Sequence, residues 1–577
     1  MQFTPQKPLK QFFKLIALEK RDVLRIYFLV AISGFITLSL PLGVQSIINL
    51  LFGGLISTSL IILILVVVLG VAMQGWLSIL QLKLNENIQR RVFTRYSLQF
   101  AYKIPRLDLL SIDDYYLPEL VNRFFDTAML QKGLSKMLVE FPGALVQMVF
   151  GLLLLSFYHP IFIVFSALLL LAVGLILRYT YPQGIRSSIR ESDIKYEVGY
   201  WLEEVARNIK SIKFMGKNEF PLHKADGIVS NYLDARAAHF NVLKIQYWTF
   251  VLFKVLVTAC LLGLGVVLVL EQQLNVGQFI ASEIIIILVL NAAEKIILNL
   301  DAVYDMLTSL EKVNKLLDKP VESENGVQVQ SLSDDAPITI KADKLSYRFK
   351  AEGEPVLNNL TFEIAAGEKV CIFGSLGSGK TTLLKLLTGS YNNYEGQLLL
   401  NGYPLSDLHL TSVRKNIGVS STTPDLFAGT LLENLTMGDS NITNRQILDM
   451  AEVTGLKAYI LALRNGLNTE VKSAGKDFPR NIVRKIVLTR ALLMGKGLVL
   501  LEDCWSDMEL SEREKIVAEL TSKNLAPTLV AVTNDENFAR NCDKVMLLEN
   551  GTVVEFGPYS EVSNSQEYKR LFKHLSI

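Results

Sequence analysis

The sequence has little net charge and few cysteines, and both shortages exclude classes of function. Its 58 lysine and arginine residues are balanced by 56 aspartate and glutamate residues, for a net charge of +2. This balance provides no bulk attraction to nucleic acid, so we expect no nucleic-acid partner. The four cysteines are scattered without a C-x-x-C pair. They predict neither a disulfide framework nor a metal site, and we expect them to be small buried hydrophobic residues.

Long hydrophobic runs are abundant, and they are concentrated before residue 300. Half of all residues are hydrophobic, and six segments reach the roughly 20 apolar residues that a helix needs to cross a membrane. The predicted spans are Ile26–Leu51, Ile56–Leu82, Leu138–Tyr158, Ile161–Tyr181, Tyr247–Leu270 and Val276–Leu298. The connections 83–137 and 182–246 are long, charged and helical in pattern, whereas the other three are short. We therefore expect the spans to continue as helices into water on one side.

The distribution of lysine and arginine predicts the orientation of these spans. Both residue types are frequent before the first span and in the two long connections, and they are missing from the short ones. By the positive-inside bias, the N-terminus and everything after the sixth span are cytoplasmic. Residues 1–22 alternate basic and apolar side chains. This segment is predicted either to lie along the membrane surface or to be a plain helical turn before the first span.

After the membrane domain, residues 23–318, the character of the chain changes. Residues 319–336 are polar and read as a linker. From residue 337 to residue 577, short apolar strands alternate with helical stretches. That alternation predicts an α/β domain with a largely parallel sheet. The predicted fold class is thus a membrane all-α domain followed by a cytoplasmic α/β domain.

One glycine-rich stretch in the second domain carries the chemistry. It follows the apolar run Val370–Phe373 and precedes a helical pattern, and it comprises Gly374, Ser375, Leu376, Gly377, Ser378, Gly379, Lys380, Thr381 and Thr382. The pattern G-x4-G-K-[ST] between a strand and a helix is typical of a phosphate-binding loop, so the α/β domain is predicted to be of the P-loop NTPase type. Glycines let the backbone wrap around phosphates, and successive N–H groups form an anion cradle. We expect Lys380 to reach the β- and γ-phosphates and the Thr381 hydroxyl to bind Mg²⁺.

Together with further motifs, this arrangement resembles the ATP-binding-cassette (ABC) transporters, specifically an exporter half with one six-span domain fused to one nucleotide-binding domain. The motifs are Leu345–Phe349, Leu426–Leu431 with Glu433 and Asn434, and Leu488–Leu492. The resemblance covers essentially the whole chain. It implies ATP and Mg²⁺ as ligands, a second transporter half as partner, and stacking of adenine on Tyr347.

Several positions depart from the pattern of that family. Phe478–Ile482 occupies the L-S-G-G-Q signature that contacts ATP held by the opposite chain, and its glycines are missing. The loss makes close backbone approach harder, and Arg480 is either a substitute phosphate ligand or a solvated side chain. At the Walker B strand, Glu502 and Asp503 replace Asp and Glu. Glu502 is still expected at the Mg²⁺, but Asp503 is one methylene shorter than the usual catalytic glutamate, which predicts slow hydrolysis.

Other γ-phosphate contacts of the family are also altered. Asn534 stands at the position of a histidine, and the sequence has no histidine between His409 and His574. Thr422 aligns with the usual glutamine, and the loop that begins at Ser506 differs as well. The phosphate cradle is therefore intact, while the groups that organise the γ-phosphate and the attacking water have changed.

Two functions remain open from the sequence. The first is ATP-dependent export by one half of a homodimer or heterodimer, with ATP binding driving alternating access and hydrolysis slow. The second is an ATP-binding membrane subunit with a regulatory or structural role and little hydrolysis, paired with an active partner chain. The predicted location is a bilayer, the bacterial inner membrane, and the transported substrate is not readable from the residues.

Overall fold

The computed structural model describes residues 6–52, 58–113, 115–216, 219–329, 336–350, 352–421, 425–505, 507–523 and 525–575. The main division between two compact units falls between Pro320 and Val321, within the predicted linker. Among the predicted segments, the N-terminal segment at residues 1–5, the second span at residues 56–57 and the linker at residues 330–335 lie outside the described residues. Each unit is described in turn.

Up to Pro320 the described chain is helical. Its α-helices are α1 Gln6–Leu18, α2 Lys20–Thr37, α3 Ser39–Phe52, α4 Thr58–Lys103, α5 Leu109–Ile112, α6 Leu117–Asn122, α7 Asp126–Ser135, α8 Phe141–Ser156, α9 Ile161–Arg207, α10 Ile209–Phe214, α11 Phe220–Leu270, α12 Val276–Leu298 and α13 Leu300–Leu317.

Within the described residues, six helical stretches are long and apolar enough to cross a membrane, which confirms the six predicted spans. They are Lys20–Leu51, Thr58–Arg106, Leu117–Ser156, Ile161–Arg207, Phe220–Leu270 and Val276–Leu317. Helices α4, α9 and α11 contain 46, 47 and 51 residues. At 1.5 Å per residue each is about 70 Å long or more, over twice the roughly 30 Å of the hydrocarbon layer. These helices therefore extend well beyond the membrane, as the charged connections predict.

The N-terminal helix α1 is amphipathic and packs against the helical core. Phe12 is 2% exposed, whereas its neighbour Phe13 is 63% exposed, so one ring packs inward and the other lies at the surface. Between α1 and α2, the buried Glu19 accepts hydrogen bonds from Arg91 (2.9 Å) and Arg95 (2.7 Å) of α4. Two guanidinium groups thus neutralise a carboxylate that the fold withdraws from water.

The second unit contains the strands β1 Ile340–Tyr347, β2 Leu357–Ile364, β3 Lys369–Phe373, β4 Tyr394–Leu400, β5 Tyr403–Pro404, β6 Ile417–Ser420, β7 Gly429–Thr430, β8 Glu470–Val471, β9 Leu498–Glu502, β10 Thr528–Val532, β11 Lys544–Glu549 and β12 Thr552–Gly557. Its α-helices are α14 Lys380–Leu387, α15 Leu410–Arg414, α16 Leu431–Thr436, α17 Asn444–Val453, α18 Lys457–Ala462, α19 Arg480–Met494, α20 Leu510–Thr521, α21 Glu536–Asn541, α22 Tyr559–Val562 and α23 Gln566–Leu575.

The main sheet has six strands in the order β12–β11–β3–β10–β9–β6. Its pairs are parallel except β11–β12, as the strand–helix alternation predicts. A second, four-stranded sheet, β2–β1–β4–β5, is antiparallel throughout. This antiparallel sheet was not predicted from the sequence, which indicated only a largely parallel sheet. The reason is that apolar strand patterns do not reveal the direction of strand pairing.

The central strand β3 is buried on both faces, which explains its unbroken apolar run. Val370 and Ile372 pack into one hydrophobic core, and Cys371 and Phe373 pack into the other. Three of the cysteines are buried as expected. The prediction is wrong for Cys260, which is exposed on α11, where an apolar side chain in a membrane span needs no protein cover.

Candidate nucleotide site

The glycine-rich loop joins the carboxyl end of β3 directly to α14. Gly377 and Gly379 have φ angles of +82° and +97°, in the left-handed region that favours glycine. Gly379 is the residue before the first turn of α14. The loop therefore turns sharply enough to bring the N-terminus of that helix to the end of the central strand.

Two glycines of the loop are required by close packing. A Cβ atom on Gly374 would lie 2.1 Å from the backbone oxygen of Leu548 in β11. On Gly379 it would lie 2.5 Å from Cδ2 of Leu357 in β2. By contrast, a Cβ atom on Gly377 would meet no described atom within 4 Å. The loop is thus wedged against two strands at its ends and is open in the middle.

The Lys380 side chain folds back over this loop. Its Nζ donates to the backbone oxygens of Gly374 (2.8 Å) and Ser375 (2.7 Å). Burial lowers the pKa of Lys380, while the nearby carboxylates of Asp503 and Glu502 act in the opposite direction. The ammonium group is therefore held above the cradle by backbone carbonyls, the position from which it reaches a bound phosphate chain.

The other side chains of the loop differ in exposure. Leu376 is fully exposed, and Ser378 and Thr382 are buried. The Thr381 hydroxyl donates to the Glu502 carboxylate at the end of β9. One hydroxyl beside one carboxylate is a donor set that suits Mg²⁺, which takes its other ligands from phosphate and water. Among the described residues, no group of three or more histidine, cysteine or acidic side chains forms a separate metal site.

The residues predicted to act on the γ-phosphate lie at the same edge of the sheet. Val532 of β10 pairs with Ile372 of β3 and with Glu502 of β9. Because these strands are parallel, Asp503 and Asn534, which follow β9 and β10, emerge beside the phosphate loop. Asn534 is exposed. The carboxyl ends of three neighbouring strands thus bring the phosphate loop, Glu502, Asp503 and Asn534 to one edge of the sheet.

Asp503 has an unusual backbone and a crowded carboxyl group. Its φ is +42°, and its N–H donates to the backbone oxygen of Val532 (3.0 Å). Although the residue as a whole is exposed, partial desolvation raises the pKa of its carboxyl group, opposed by a hydrogen bond from Thr533 and by the charge of Lys380. Asp503 was predicted from the sequence as the acidic residue, but its left-handed backbone conformation was not.

Known protein families match both units of the chain. Residues 23–293 match the model described as the ABC transporter transmembrane region. Residues 357–506 match the model described as ABC transporter. Together these models cover most of the chain, in the order membrane region and then ATP-binding domain. The chain belongs to the ABC transporters.

Individual relatives extend this result. The transporter is 24% identical over 466 residues to the mesentericin-Y105 transport/processing ATP-binding protein MesD of Leuconostoc mesenteroides, covering 79% of this chain and 63% of that protein. It is 28% identical over 257 residues to an ATP-dependent lipid A-core flippase of Hahella chejuensis, covering 44% and 43%. An uncharacterised ABC transporter ATP-binding protein of Bacillus subtilis, YfiB, is 29% identical over 244 residues, 42% of either chain. In each case the match spans less than two thirds of the relative.

The fold is that of an exporter half. A solved bacterial Atm1-family ABC exporter with ATP bound superimposes with a TM-score of 0.84 over 97% of this chain and 99% of that one, at 17% identity. At such low identity the likeness shows the fold alone. The transporter is therefore an integral membrane protein in which a six-span helical domain and a nucleotide-binding domain are fused in one chain.

The structure contradicts the prediction for Tyr347. Its ring is 1% exposed, stacked on Tyr391 at 5.2 Å and contacted edge-on by Phe349 at 5.3 Å. A ring enclosed in this way offers no face to adenine, because the last residue of β1 points into the core between the two sheets.

Phe349 is the aromatic side chain that lies open to solvent at this place. It is 51% exposed, and it belongs to the segment between Tyr347 and Val356, whose ends are joined by a backbone hydrogen bond of 2.8 Å. The Val356 oxygen would lie 3.1 Å from a Cβ atom on Gly379, so this segment borders the phosphate loop. The sequence signal that could have identified Phe349 is an aromatic residue just beyond the end of β1, in an otherwise polar stretch.

The altered signature segment has a distinct structure. Pro479, with φ −56° and ψ 146°, precedes α19, and Arg480 is the first residue of that helix. Phe478 packs edge-on against Tyr459 at 5.9 Å, and Arg480 is exposed. A cavity of about 380 Å³ beside this helix end is lined by Ala474, Gly475, Lys476, Phe478, Arg480, Val483, Arg484 and Asp507. Thr422 and Ser506, the first residue of the altered loop after β9, lie outside the described residues.

The motif around Asn434 has a structural explanation. The Asn434 side chain accepts from the Phe427 N–H (3.1 Å) and donates to the Phe427 oxygen (3.0 Å). Thr430 and Glu433 form a reciprocal capping box at the start of α16. Asn434 is completely buried. These residues hold a loop in shape and are not placed in nucleotide chemistry.

Proposed function

We propose that this ABC transporter exports its substrate by coupling ATP binding at Gly374–Thr382 to alternating access, as one half of a dimer. The observation that carries the proposal is the phosphate loop, wedged between β2 and β11 with Lys380 folded over it. The named activities of relatives, a flippase and a transport/processing protein, support ATP-driven export. The six spans supply the membrane part that such work requires.

Each residue of the site has a proposed role. The loop N–H groups and Lys380 bind the phosphates, and Thr381 and Glu502 would hold Mg²⁺, which supplies positive charge against the phosphate oxygens when bound. Phe349 replaces Tyr347 as the ring that stacks on adenine. Asp503 accepts a proton from the attacking water. Asn534 donates a hydrogen bond to the γ-phosphate and cannot carry the positive charge of a histidine.

Binding energy, and not fast chemistry, would drive the conformational change. A ligand shifts a two-state equilibrium by its difference in affinity for the two states, and about 5.5 kcal/mol moves it from 1:99 to 99:1. If ATP binds the closed pair of cassettes that much more tightly than the open pair, closure follows. Hydrolysis then resets the cycle, so the short Asp503 and the missing histidine slow turnover without abolishing transport.

The partner and the location follow from the same reasoning. The family resemblance implies that ATP lies between the phosphate loop of one chain and the signature segment of the other, so we propose a second transporter half, either identical or different. The lysine and arginine distribution supports a cytoplasmic nucleotide site. Bacterial relatives support the inner membrane of a bacterium.

A second candidate is a nucleotide-gated subunit with little hydrolysis. It is favoured by the start of α19, where Pro479 lacks an N–H and Arg480 replaces a glycine, so that close backbone approach to a phosphate is harder. In this case a more regular partner chain would supply most of the turnover. The substrate would still move, but this chain would bind ATP chiefly to set the conformation.

The experiment compares the purified chain with Lys380→Ala in lipid nanodiscs containing Mg-ATP. A charge-assisted hydrogen bond contributes about 1.5–3 kcal/mol, so losing the ammonium group should weaken ATP binding about 10- to 150-fold. Lys385→Ala is the matched control, because Lys385 lies on the same helix but donates to Tyr391 (3.0 Å). Its affinity should stay at the wild-type value.

The outcomes separate the two candidates. Lysine-dependent binding with lysine-dependent phosphate release supports an ATP-hydrolysing exporter half. Binding without release above the Lys380→Ala level supports the nucleotide-gated subunit. Absence of binding in the wild type would refute both.

A further inference from the structure

One arginine outside the phosphate loop contacts two acidic residues that follow β9, Asp503 and Asp507, and we call the backbone at Asp503 the Asp503 turn. Arg484, the fifth residue of α19, donates from Nη1 to the backbone oxygen of Asp503 (2.8 Å). Its Nε donates to the Asp507 carboxylate (2.6 Å). The Arg484 side chain is only 13% exposed. A partly buried guanidinium group therefore spans the turn.

The backbone conformation of Asp503, the first residue of this turn, is unusual. Asp503 has a left-handed φ of +42°, a conformation that residues other than glycine adopt at some cost in free energy. Its N–H is bound to Val532 and its carbonyl oxygen to Arg484. With its N–H and its carbonyl oxygen both anchored, the direction of the Cα–Cβ bond of Asp503 is fixed by these two bonds.

Between the two contacts of Arg484 lies a buried aromatic residue. Trp505 is 2% exposed and stacks on Phe538 with ring centroids 5.1 Å apart. Because Asp503 and Asp507 lie on either side of it in sequence, loosening the Arg484 contacts must disturb the indole. The chain thus contains its own reporter of this turn.

We propose that Arg484 is a positioning residue that holds the Asp503 turn and links it to the start of α19. The inference rests on the proposed function, in which Asp503 accepts a proton from water and the start of α19 faces the nucleotide of the other chain. Arg484 lies one helical turn after Arg480, so a shift of that helix end moves the guanidinium group and, through it, the carbonyl of Asp503. Closure of the dimer would in this way set the acid of the chain's own site.

The planar guanidinium group is what makes this linkage possible. Nε and Nη1 point in fixed directions, so one side chain binds a carbonyl oxygen and a carboxylate at the same time. A lysine has a single nitrogen at the end of a flexible stem, so its three donors leave from one point and bind two acceptors only where both lie within hydrogen-bond distance of that point. Lysine at this position should therefore be intermediate between arginine and glutamine.

The test uses the full chain in nanodiscs with Arg484→Gln, Arg484→Lys and the control Arg445→Gln. Arg445 forms a surface pair with Asp449 (3.9 Å) and is 92% exposed, so its loss should change nothing. The first readout is acrylamide quenching of Trp505, isolated by subtracting the signal of matched Trp505→Phe variants. We expect quenching to rise severalfold in Arg484→Gln and less in Arg484→Lys.

The second readout is the split between kcat and KM for ATP. We expect kcat to fall about tenfold in Arg484→Gln while KM stays within about twofold, because a displaced catalytic group affects the transition state more than substrate binding. Size-exclusion profiles of the detergent-extracted variants report folding, and Arg484→Lys keeps the test informative if the glutamine variant aggregates.

Two results would overturn the proposal. Unchanged Trp505 quenching in Arg484→Gln would show that the arginine does not hold the turn. A raised KM with unchanged kcat would show that it acts in nucleotide binding. Failure of the proposed function appears elsewhere, as loss of lysine-dependent ATP binding in the wild type, and it leaves the Trp505 readout intact.

Discussion

Lengthening the acid at position 503 should accelerate hydrolysis. In Asp503→Glu the backbone is held by Val532 on one side and Arg484 on the other, so the added methylene advances the carboxylate by up to about 1.5 Å, one carbon–carbon bond. A misplacement of about 1 Å can cost a factor of about 100 in rate. If distance is what limits this site, kcat should rise about 10- to 100-fold, equivalent to lowering the barrier by about 1.4–2.7 kcal/mol.

An opposing effect is smaller. At φ +42° glutamate is less favourable than aspartate, whose short polar side chain tolerates the left-handed region, and such strain costs on the order of 1 kcal/mol. This strain is the same in the ground state and in the transition state. It therefore lowers the yield of folded protein more than the rate of hydrolysis. The net expectation is faster turnover by a slightly less stable chain.

The assay is steady-state phosphate release in nanodiscs at saturating Mg-ATP, with release by Lys380→Ala subtracted. Asp503→Asn is the matched control, because it keeps the length of the side chain and removes the base; its release should drop to the background. A kcat for Asp503→Glu that is equal to or below wild type, at unchanged ATP affinity, would refute the distance argument. The altered signature segment or Asn534 would then be the limiting feature.

Three further outcomes are expected. Phe349→Ala should weaken ATP binding about tenfold through lost stacking, measured by nucleotide titration, whereas Phe349→Tyr, which keeps a ring, should leave it unchanged; unchanged affinity in Phe349→Ala would exclude Phe349 as the adenine ligand. Gly374→Ala should destabilise the chain more than Gly377→Ala, by about 3 kcal/mol because its Cβ would meet a backbone oxygen at 2.1 Å, against about 1–2 kcal/mol of left-handed backbone strain at Gly377; equal thermal midpoints would contradict the packing. ATP affinity should weaken as pH rises through the lowered pKa of Lys380, where the ammonium group loses its charge; a Lys380→Ala variant with the same alkaline loss would exclude that lysine as its origin.

Much of the architecture could be predicted from the residues alone. Spans of about 20 apolar residues can cross a bilayer only as helices, because backbone polar groups must be satisfied within lipid. The six spans followed from that rule, and the phosphate loop followed from glycines placed between a strand and a helix. Both are properties of contiguous residues, which a sequence displays directly.

Which of two aromatic side chains beside the phosphate loop is open to solvent was not predictable in the same way. Tyr347 and Phe349 are two aromatic residues near the end of one strand, and pattern alone does not say which is covered. The structure decides between them because Tyr391, which lies outside that strand, stacks on Tyr347. The prediction failed where burial depended on a residue distant in sequence.

The local sequence determined which groups are available to a nucleotide: the loop backbone, Lys380, Thr381 and a pair of acids at the end of an apolar strand. Only the tertiary structure decided how they are aimed. Parallel pairing of β3, β9 and β10 brings the acids to the loop, and Arg484 from α19 holds the turn of Asp503. Such contacts join residues far apart in the chain, and their geometry follows from the packing of the whole domain and not from any one segment.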